Sequence, residues 1–165
     1  MKNRSVLALT LAGLCAACGP TWVDFTAPDG SFTGSFPEPP TLKDSGSSKI
    51  WHSSIGKTTF NVVVQQVPAE FAAEPAADPL FDQLVKVHQK SCRGPMSDVV
   101  ALTLGPQAIP GRGYRCVAST PAGDANRTTR AYRAKDRLFI LLLMEPVDQK
   151  AVDATRFWDS FAIPQ

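Results

Sequence analysis

Histidine is nearly absent from this chain: two residues in 165, His52 and His88. Neither stands at ligand spacing from a cysteine, so a zinc-type site has no donor set to start from. No serine occupies the Gly-x-Ser-x-Gly context that presents a nucleophile on a strand-to-helix turn. A glycine-rich phosphate loop is also missing. No apolar run reaches the roughly 20 residues that a membrane-crossing helix needs. There is no internal repeat. These absences remove the usual sequence marks of metal, nucleophilic and phosphoryl chemistry, so catalytic residues, metal ligands and cofactors are all expected to be none. Fold, compartment and redox state are what the sequence does carry.

The N-terminus is the most informative stretch. Lys2 and Arg4 precede an apolar core from Val6 to Ala17, and small residues lead to Cys18. A basic start, a core of about 12 residues and a small-residue exit read as an export signal over residues 1–17, too short to anchor by spanning. Two cleavage chemistries stay open. Cutting before Cys18 and acylating its thiol would give a lipoprotein. Ordinary signal peptidase would accept Cys15 and Ala17 three and one positions before the cut, giving a secreted protein. An uncleaved apolar N-terminus on a cytosolic chain is the third reading. Leu14-Cys15-Ala16-Ala17-Cys18 resembles a bacterial lipobox, with Leu14 one position early and Gly19 following as the pattern prefers. The resemblance implies lipid attachment at Cys18 and a place in the bacterial cell envelope, on the periplasmic side of the outer membrane if the cell is Gram-negative.

Residues 18–165 make one domain of ordinary size. The full chain has 17 basic and 15 acidic residues; losing Lys2 and Arg4 brings the two into balance. A neutral domain has no bulk electrostatic reason to bind nucleic acid or anionic lipid. Membrane association would come from acyl chains on Cys18. Cys92 and Cys116 remain as one even pair, and an exported domain is where disulfides persist. A bridge would close a loop of about 25 residues and contribute roughly 3–4 kcal/mol in the chain-entropy model. The alternative is a pair of unbonded buried thiols.

Residues 18–29 read as a tether and 30–165 as a single α+β domain. Ser31 to Phe36 is a short strand stopped by Pro37-Glu38-Pro39-Pro40. Asp44 to Ser48 is a loop or hairpin connection. Lys49–Ile55 and Thr58–Val67 form a hairpin about Gly56-Lys57, with Phe60, Val62 and Val64 on its core face. Pro68 to Ala77 reads as an exposed connection. Asp78 and Pro79 open a helix whose Leu80, Phe81, Leu84, Val85 and His88 share one side, and Gly94-Pro95 ends it. Four strands follow as a meander: Asp98–Leu104, Gly111–Ser119, Arg127–Ala134 and Arg137–Met144. The run Leu138–Met144 is apolar at every position, as a central strand covered on both faces would be. Asp148 is expected to cap a final helix through Trp158, and Phe161–Ile163 to form a terminal strand. The fold class is thus α+β: one antiparallel sheet of about six to eight strands flanked by two main helices.

Pro28-Asp29-Gly30-Ser31-Phe32-Thr33-Gly34-Ser35-Phe36-Pro37 resembles the start of many uncharacterised bacterial lipoproteins, and Phe157-Trp158-Asp159-Ser160-Phe161 resembles their end. Gly111–Arg115 and Tyr132–Phe139 look like the same family's meander. The element order is similar to the PsbP-like fold, shared by the photosystem II extrinsic subunit, a Ran-binding import factor and DcrB-like and LpqN-like lipoproteins. That resemblance implies a non-catalytic binding module, and it carries no binding residue over to this chain.

Individual side chains give bland readings first. His88 is expected at the edge of the core and His52 on the solvent side of its strand. Arg127, Arg130, Arg133, Lys135 and Arg137 form the one dense basic run. Alternation puts Arg127 and Arg133 on one face and Arg130 on the other, so a solvated edge is expected rather than an anion site. Trp22 and Phe25 could touch the membrane interface or pack on the domain; Trp51 and Trp158 read as core. The function expected is a lipid-anchored, non-enzymatic interaction module with an unidentified protein or envelope partner. The alternatives are an envelope carrier of a small apolar ligand, and a hydrolase using His88 or His52 as base.

Overall fold

The computed structural model describes residues 21–72 and 78–164. Cys15 and Cys18, and with them the export signal, lie outside the described residues. Strands β1 (Val23–Thr26) and β2 (Thr33–Phe36) form a separate hairpin. The main sheet has seven strands: β3 (Thr41–Asp44), β4 (Ser48–Ile55), β5 (Thr58–Gln66), β6 (Ser97–Leu104), β7 (Ile109–Thr120), β8 (Gly123–Ala134) and β9 (Arg137–Pro146). Their order is β3-β4-β5-β9-β8-β7-β6, and every neighbouring pair is antiparallel. Among the described residues three helices accompany them: α1 (Ala69–Ala72), α2 (Asp78–Gln89) and α3 (Thr155–Asp159).

The pattern of β9 explains its place. Leu138, Phe139, Ile140, Leu141 and Leu143 are all buried, and the strand lies between β5 and β8 with both faces covered. One face, the aromatic face, carries Phe139, Leu141 and Leu143 beside Phe60, Val62, Val64, Trp51 and Tyr132. The β1–β2 hairpin, α3 and Phe161 cover it, contributing Phe32, Phe36 and Phe157. The other, the helix face, carries Leu138, Ile140 and Ala131, which meet Leu80, Phe81 and Leu84 of α2.

Several expectations need correcting. The single sheet is two, because β1 and β2 pair with each other and lie over the aromatic face. Of the two main helices expected, α2 is present and the second is the five-residue α3. Asp148 does not cap it: the chain leaves β9 through a turn in which Gln149 N donates to Pro146 O at 3.2 Å. The Thr155 N–H is instead accepted by Asp153 Oδ1 at 3.0 Å. The tether is strand over Val23–Thr26, held by pairing to β2 and by packing of Phe25. Phe161–Ile163 makes no strand; Ala162 pairs with Thr33 alone, while Phe161 plugs the core at 4% exposure. Strand β3 was not expected at all, since Thr41-Leu42-Lys43-Asp44 has too little apolar character to mark it.

Candidate functional site

Several places among the described residues gather polar side chains or open surface, and two stand out by their neighbours. The first lies under the C-terminal end of α2. Cys92 and Cys116 are joined, with Cα atoms 5.9 Å apart. Cys116 projects from β7 toward the helix face, and Cys92 sits just past α2, where residues 91–93 run beside β7. There Cys92 bridges Ala118, and Arg93 N donates to Val117 O at 2.8 Å. Odd positions of β8 also face α2, which brings Arg127 beneath the bridge. Its Nη1 donates to Ser91 Oγ at 2.8 Å and its Nη2 to the His88 carbonyl at 2.9 Å. The same Nη2 lies 3.1 Å from Cys92 Sγ and 3.3 Å from Cys116 Sγ.

Arg127 is 8% exposed and makes no ion pair with a carboxylate among the described residues. Its Nε is buried without a partner. The expected solvated edge therefore fails at this residue. Burial lowers the guanidinium pKa from its usual value. His88 is half-buried, and its Nδ1 lies 2.6 Å from the Tyr114 hydroxyl. Burial first, and the Arg127 charge second, lower its pKa to about 4. The ring is thus neutral near pH 7, and it shares one hydrogen bond with the Tyr114 hydroxyl whose direction follows the ring tautomer. Burial pushes the Tyr114 phenol well up, so it too stays protonated. Tyr114 was missed in the sequence. Alternation along β7 was the available signal, because it puts Tyr114 on the same face as Cys116.

His52 is elsewhere, on β4, where its Nδ1 lies 2.9 Å from Asn61 Oδ1 across the strand pair. The structure does not bring the two histidines together. The rest of the basic run is dispersed. Arg130 stacks over Trp158 on the aromatic face, 4.7 Å from the ring centroid. Arg133 donates to Phe71 O at 3.0 Å. Arg137 and Lys49 flank Asp29 at 3.6 and 3.5 Å. Lys135 is exposed in the β8–β9 turn at φ 54°. Trp22 meets Phe60 edge-on at 5.7 Å and Phe25 lies 4.9 Å from Trp51, so both pack on the domain. Trp51 is core, whereas Trp158 is half-buried and forms a wall.

The second place is the outer end of the aromatic face, past the cover given by α3. An open groove of about 710 Å³ runs between residues 151–155 and strands β7 and β8. It adjoins one of about 470 Å³ over Val100, Leu102 and Gly113. Asp98, Arg115, Thr128 and Trp158 line both. Glu145 Oε1 accepts the Val152 N–H at 3.0 Å and fixes the loop wall to the sheet. Asp98 sits at φ 53° where the β6–β7 register shifts between Ser97 and Val100. Such a bulge bends an edge strand and re-aims its side chains. Val100 and Val117 stand 49% and 37% exposed on this face.

The two opposite edges of the main sheet differ, and the groove lies beside β6. β3 is short, follows Pro39-Pro40 and carries Lys43 and Asp44, which are usual devices against unwanted strand pairing. β6 has a bulge at its start, but Val100-Ala101-Leu102-Thr103-Leu104 beyond it has no charge and no proline.

Two sheets of this kind, a helix on one face and a hairpin on the other, have solved counterparts. The fold is PsbP-like. Cyanobacterial PsbP (CyanoP) from Synechocystis sp. PCC 6803 superimposes with a TM-score of 0.58 at 14% identity, over 93% of this chain and 99% of that one. A protein from Bacteroides thetaiotaomicron is similar over 86% of this chain and 48% of its own, with a TM-score of 0.53 and 10% identity. At such identities the likeness speaks to fold alone. No protein-family profile matches the chain, and no curated protein matches it in sequence.

Proposed function

We propose that this PsbP-like domain is a non-enzymatic binding module of the bacterial cell envelope, anchored by lipid on Cys18. In this reading it receives an extended segment of a partner protein along β6. The observation that supports it is the unguarded β6 edge beside an open groove, on a sheet whose other edge is protected. An incoming strand would pair with the free backbone edge of β6, and its side chains on one face would meet Val100, Leu102 and Trp158. Main-chain pairing supplies affinity in this mode and pockets for alternate side chains supply specificity. The Asp98–Arg115 pair, 3.9 Å apart and exposed, would set orientation more than strength.

The test is a photo-cross-linking residue placed at Val100 or Ala101 in intact cells, with Lys43 on β3 as the control. A defined protein adduct at β6 and none at β3 is expected. Equal labelling at both edges, or none at either, would overturn the binding reading. The anchor is tested separately by mass: the mature chain is expected to begin at Cys18 with a diacylglyceryl group, and an unmodified Cys18 rules the anchor out.

A further inference from the structure

Arg127 is a buried cation with no carboxylate partner among the described residues, and such a group is costly. Its nearest groups include two sulfurs, which are neutral while bonded to each other and anionic once the bond is broken. The environment of those sulfurs is unequal. Cys92 Sγ lies 3.3 Å from the His88 carbonyl oxygen, at the C-terminal end of α2, where the partial negative charge of the last carbonyls disfavours a thiolate. A bonded sulfur has no hydrogen to give that oxygen; a thiol would donate to it. Cys116 is buried on β7, away from the helix end; the guanidinium reaches both sulfurs, at 3.3 Å from Cys116 and 3.1 Å from Cys92, so the helix-end carbonyl is what separates them. Cys92 is the more exposed of the two. The surroundings thus match a reduced pair made of one thiol, Cys92, and one thiolate, Cys116. The other titratable groups facing the bridge, His88 of α2 and Tyr114 of β7, are both neutral at pH 7 and do not compete for the cation.

We infer that Cys92–Cys116 is an exchangeable disulfide that reacts with an external dithiol, with Arg127 holding the leaving sulfur of Cys116. In the forward step a thiolate of the dithiol attacks Cys92 Sγ. The Cys92–Cys116 bond breaks and its electron pair leaves on Cys116 Sγ, beside the guanidinium. The second thiol of the dithiol loses its proton to solvent and attacks its own partner sulfur in the mixed disulfide. That releases Cys92, which takes up a proton and donates it to the His88 carbonyl. The dithiol is oxidised by two electrons, the protein disulfide is reduced by two, and the sequence run backwards reoxidises the protein. A leaving group of low pKa departs faster and makes a disulfide more oxidising. This inference is independent of the binding reading, since it draws on the opposite face of the sheet.

The experiment equilibrates the purified full chain in dithiothreitol redox buffers, quenches with an alkylating agent and reads Cys92 and Cys116 by peptide mass. Arg127→Met is expected to shift the equilibrium toward the disulfide at least tenfold, about 30 mV for a two-electron couple. Reduction should slow by a similar factor, and Arg127→Lys should retain most of both. A change under twofold in Arg127→Met, or a shift toward the dithiol, would overturn the proposal. If Arg127→Met does not fold, the reduced wild-type chain decides. Alkylation at Cys116 that is already near its maximum at pH 6, with Cys92 following an ordinary thiol profile, supports the assignment. Ordinary profiles at both sulfurs, or global unfolding on reduction, reject it.

Discussion

The two faces of the main sheet are built on different principles. The helix face is covered by one regular element, α2, whose Leu80, Phe81 and Leu84 recur at helical spacing and meet aliphatic side chains of β8 and β9. The aromatic face is covered by fragments: a four-residue hairpin pair, a five-residue helix and a single plugging residue. None of those fragments would hold its shape alone, since short helices and isolated hairpins are marginal in water. What fixes them is interlocking rings. Phe157 lies 5.7 Å from Phe36 and 5.3 Å from Phe60, edge-on to both. Phe161 stacks on Phe32 at 5.6 Å and on Tyr132 at 6.1 Å. Regular secondary structure organises one face; side-chain volume organises the other.

The sharpest way to break that contrast is to delete one ring and one aliphatic side chain. Phe157→Ala removes most of a side chain that is 2% exposed and is the main tie between α3 and the sheet. A loss of about 4 kcal/mol is expected, within the usual range for buried Phe→Ala. Leu84→Ala, at 9% exposure on α2, is expected to cost about 2.5 kcal/mol, because the helix remains tied at its end by the bridge. Urea unfolding at pH 7 measures both. Equal losses, or a larger one at Leu84, would show that the fragments depend less on ring packing than the geometry implies.

The same contrast explains what could be read from residues alone. The β4–β5 hairpin, α2 and the four-strand meander announce themselves by local period and punctuation: Gly56-Lys57, Asp78-Pro79, Gly105-Pro106 and the unbroken Leu138–Met144 run. The disulfide followed from counting cysteines in a chain expected to be exported. The aromatic cover was legible only in part. Val23–Thr26 is too short to show alternation, so Phe25 looked like part of a tether. Phe157, Trp158 and Phe161 suggested a longer helix and a strand, yet Phe157 and Phe161 fill a hollow walled in part by Phe32, Phe36 and Phe60, more than 90 positions earlier. In the candidate site, Cys92, Cys116 and His88 were visible, but the buried Arg127 was hidden inside a run of like charges whose members turned out to face different ways.

A smaller test concerns how tightly the rings fill their face. Gly111 in β7 lies opposite Tyr132 of β8. A Cβ there would overlap the Tyr132 ring and come within 2.7 Å of the Ala131 carbonyl oxygen. The backbone oxygen cannot swing aside, so the ring and the strand must both shift. Gly111→Ala is expected to destabilise by about 1–3 kcal/mol, as overpacking of a filled core does. Gly46, in the β3–β4 turn, has open space at its Cβ but φ 76°, so Gly46→Ala costs only its backbone strain, about 1 kcal/mol. If Gly111→Ala cost no more than Gly46→Ala in the same unfolding assay, the aromatic face would have slack that the ring geometry does not show.

The most gradual effect belongs to the helix face and appears as a pH dependence. His88 titrates near 6.5 in an unfolded chain and at about 4 in the fold, where burial and the neighbouring Arg127 disfavour its charged form. Between those values the unfolded chain holds the extra proton, so stability rises with pH across that window. The contribution of neutral His88 is therefore complete above about pH 6.5 and is lost as pH falls toward 4. Water reaching the half-exposed ring screens it, leaving no more than about 2 kcal/mol. The shifted carboxylates of the described residues, Asp24, Asp29 and Asp153, are all lowered from 3.8 by hydrogen bonds in the fold. Their contributions are lost below that value and do not account for a slope between pH 4 and 6.5. Urea unfolding across this range should show the slope in the wild type, and His88→Gln should flatten it while leaving the behaviour below pH 4 in place. An unchanged slope in His88→Gln would mean that the polar pocket under α2 opens to water, and that the helix cover is looser than the aromatic one.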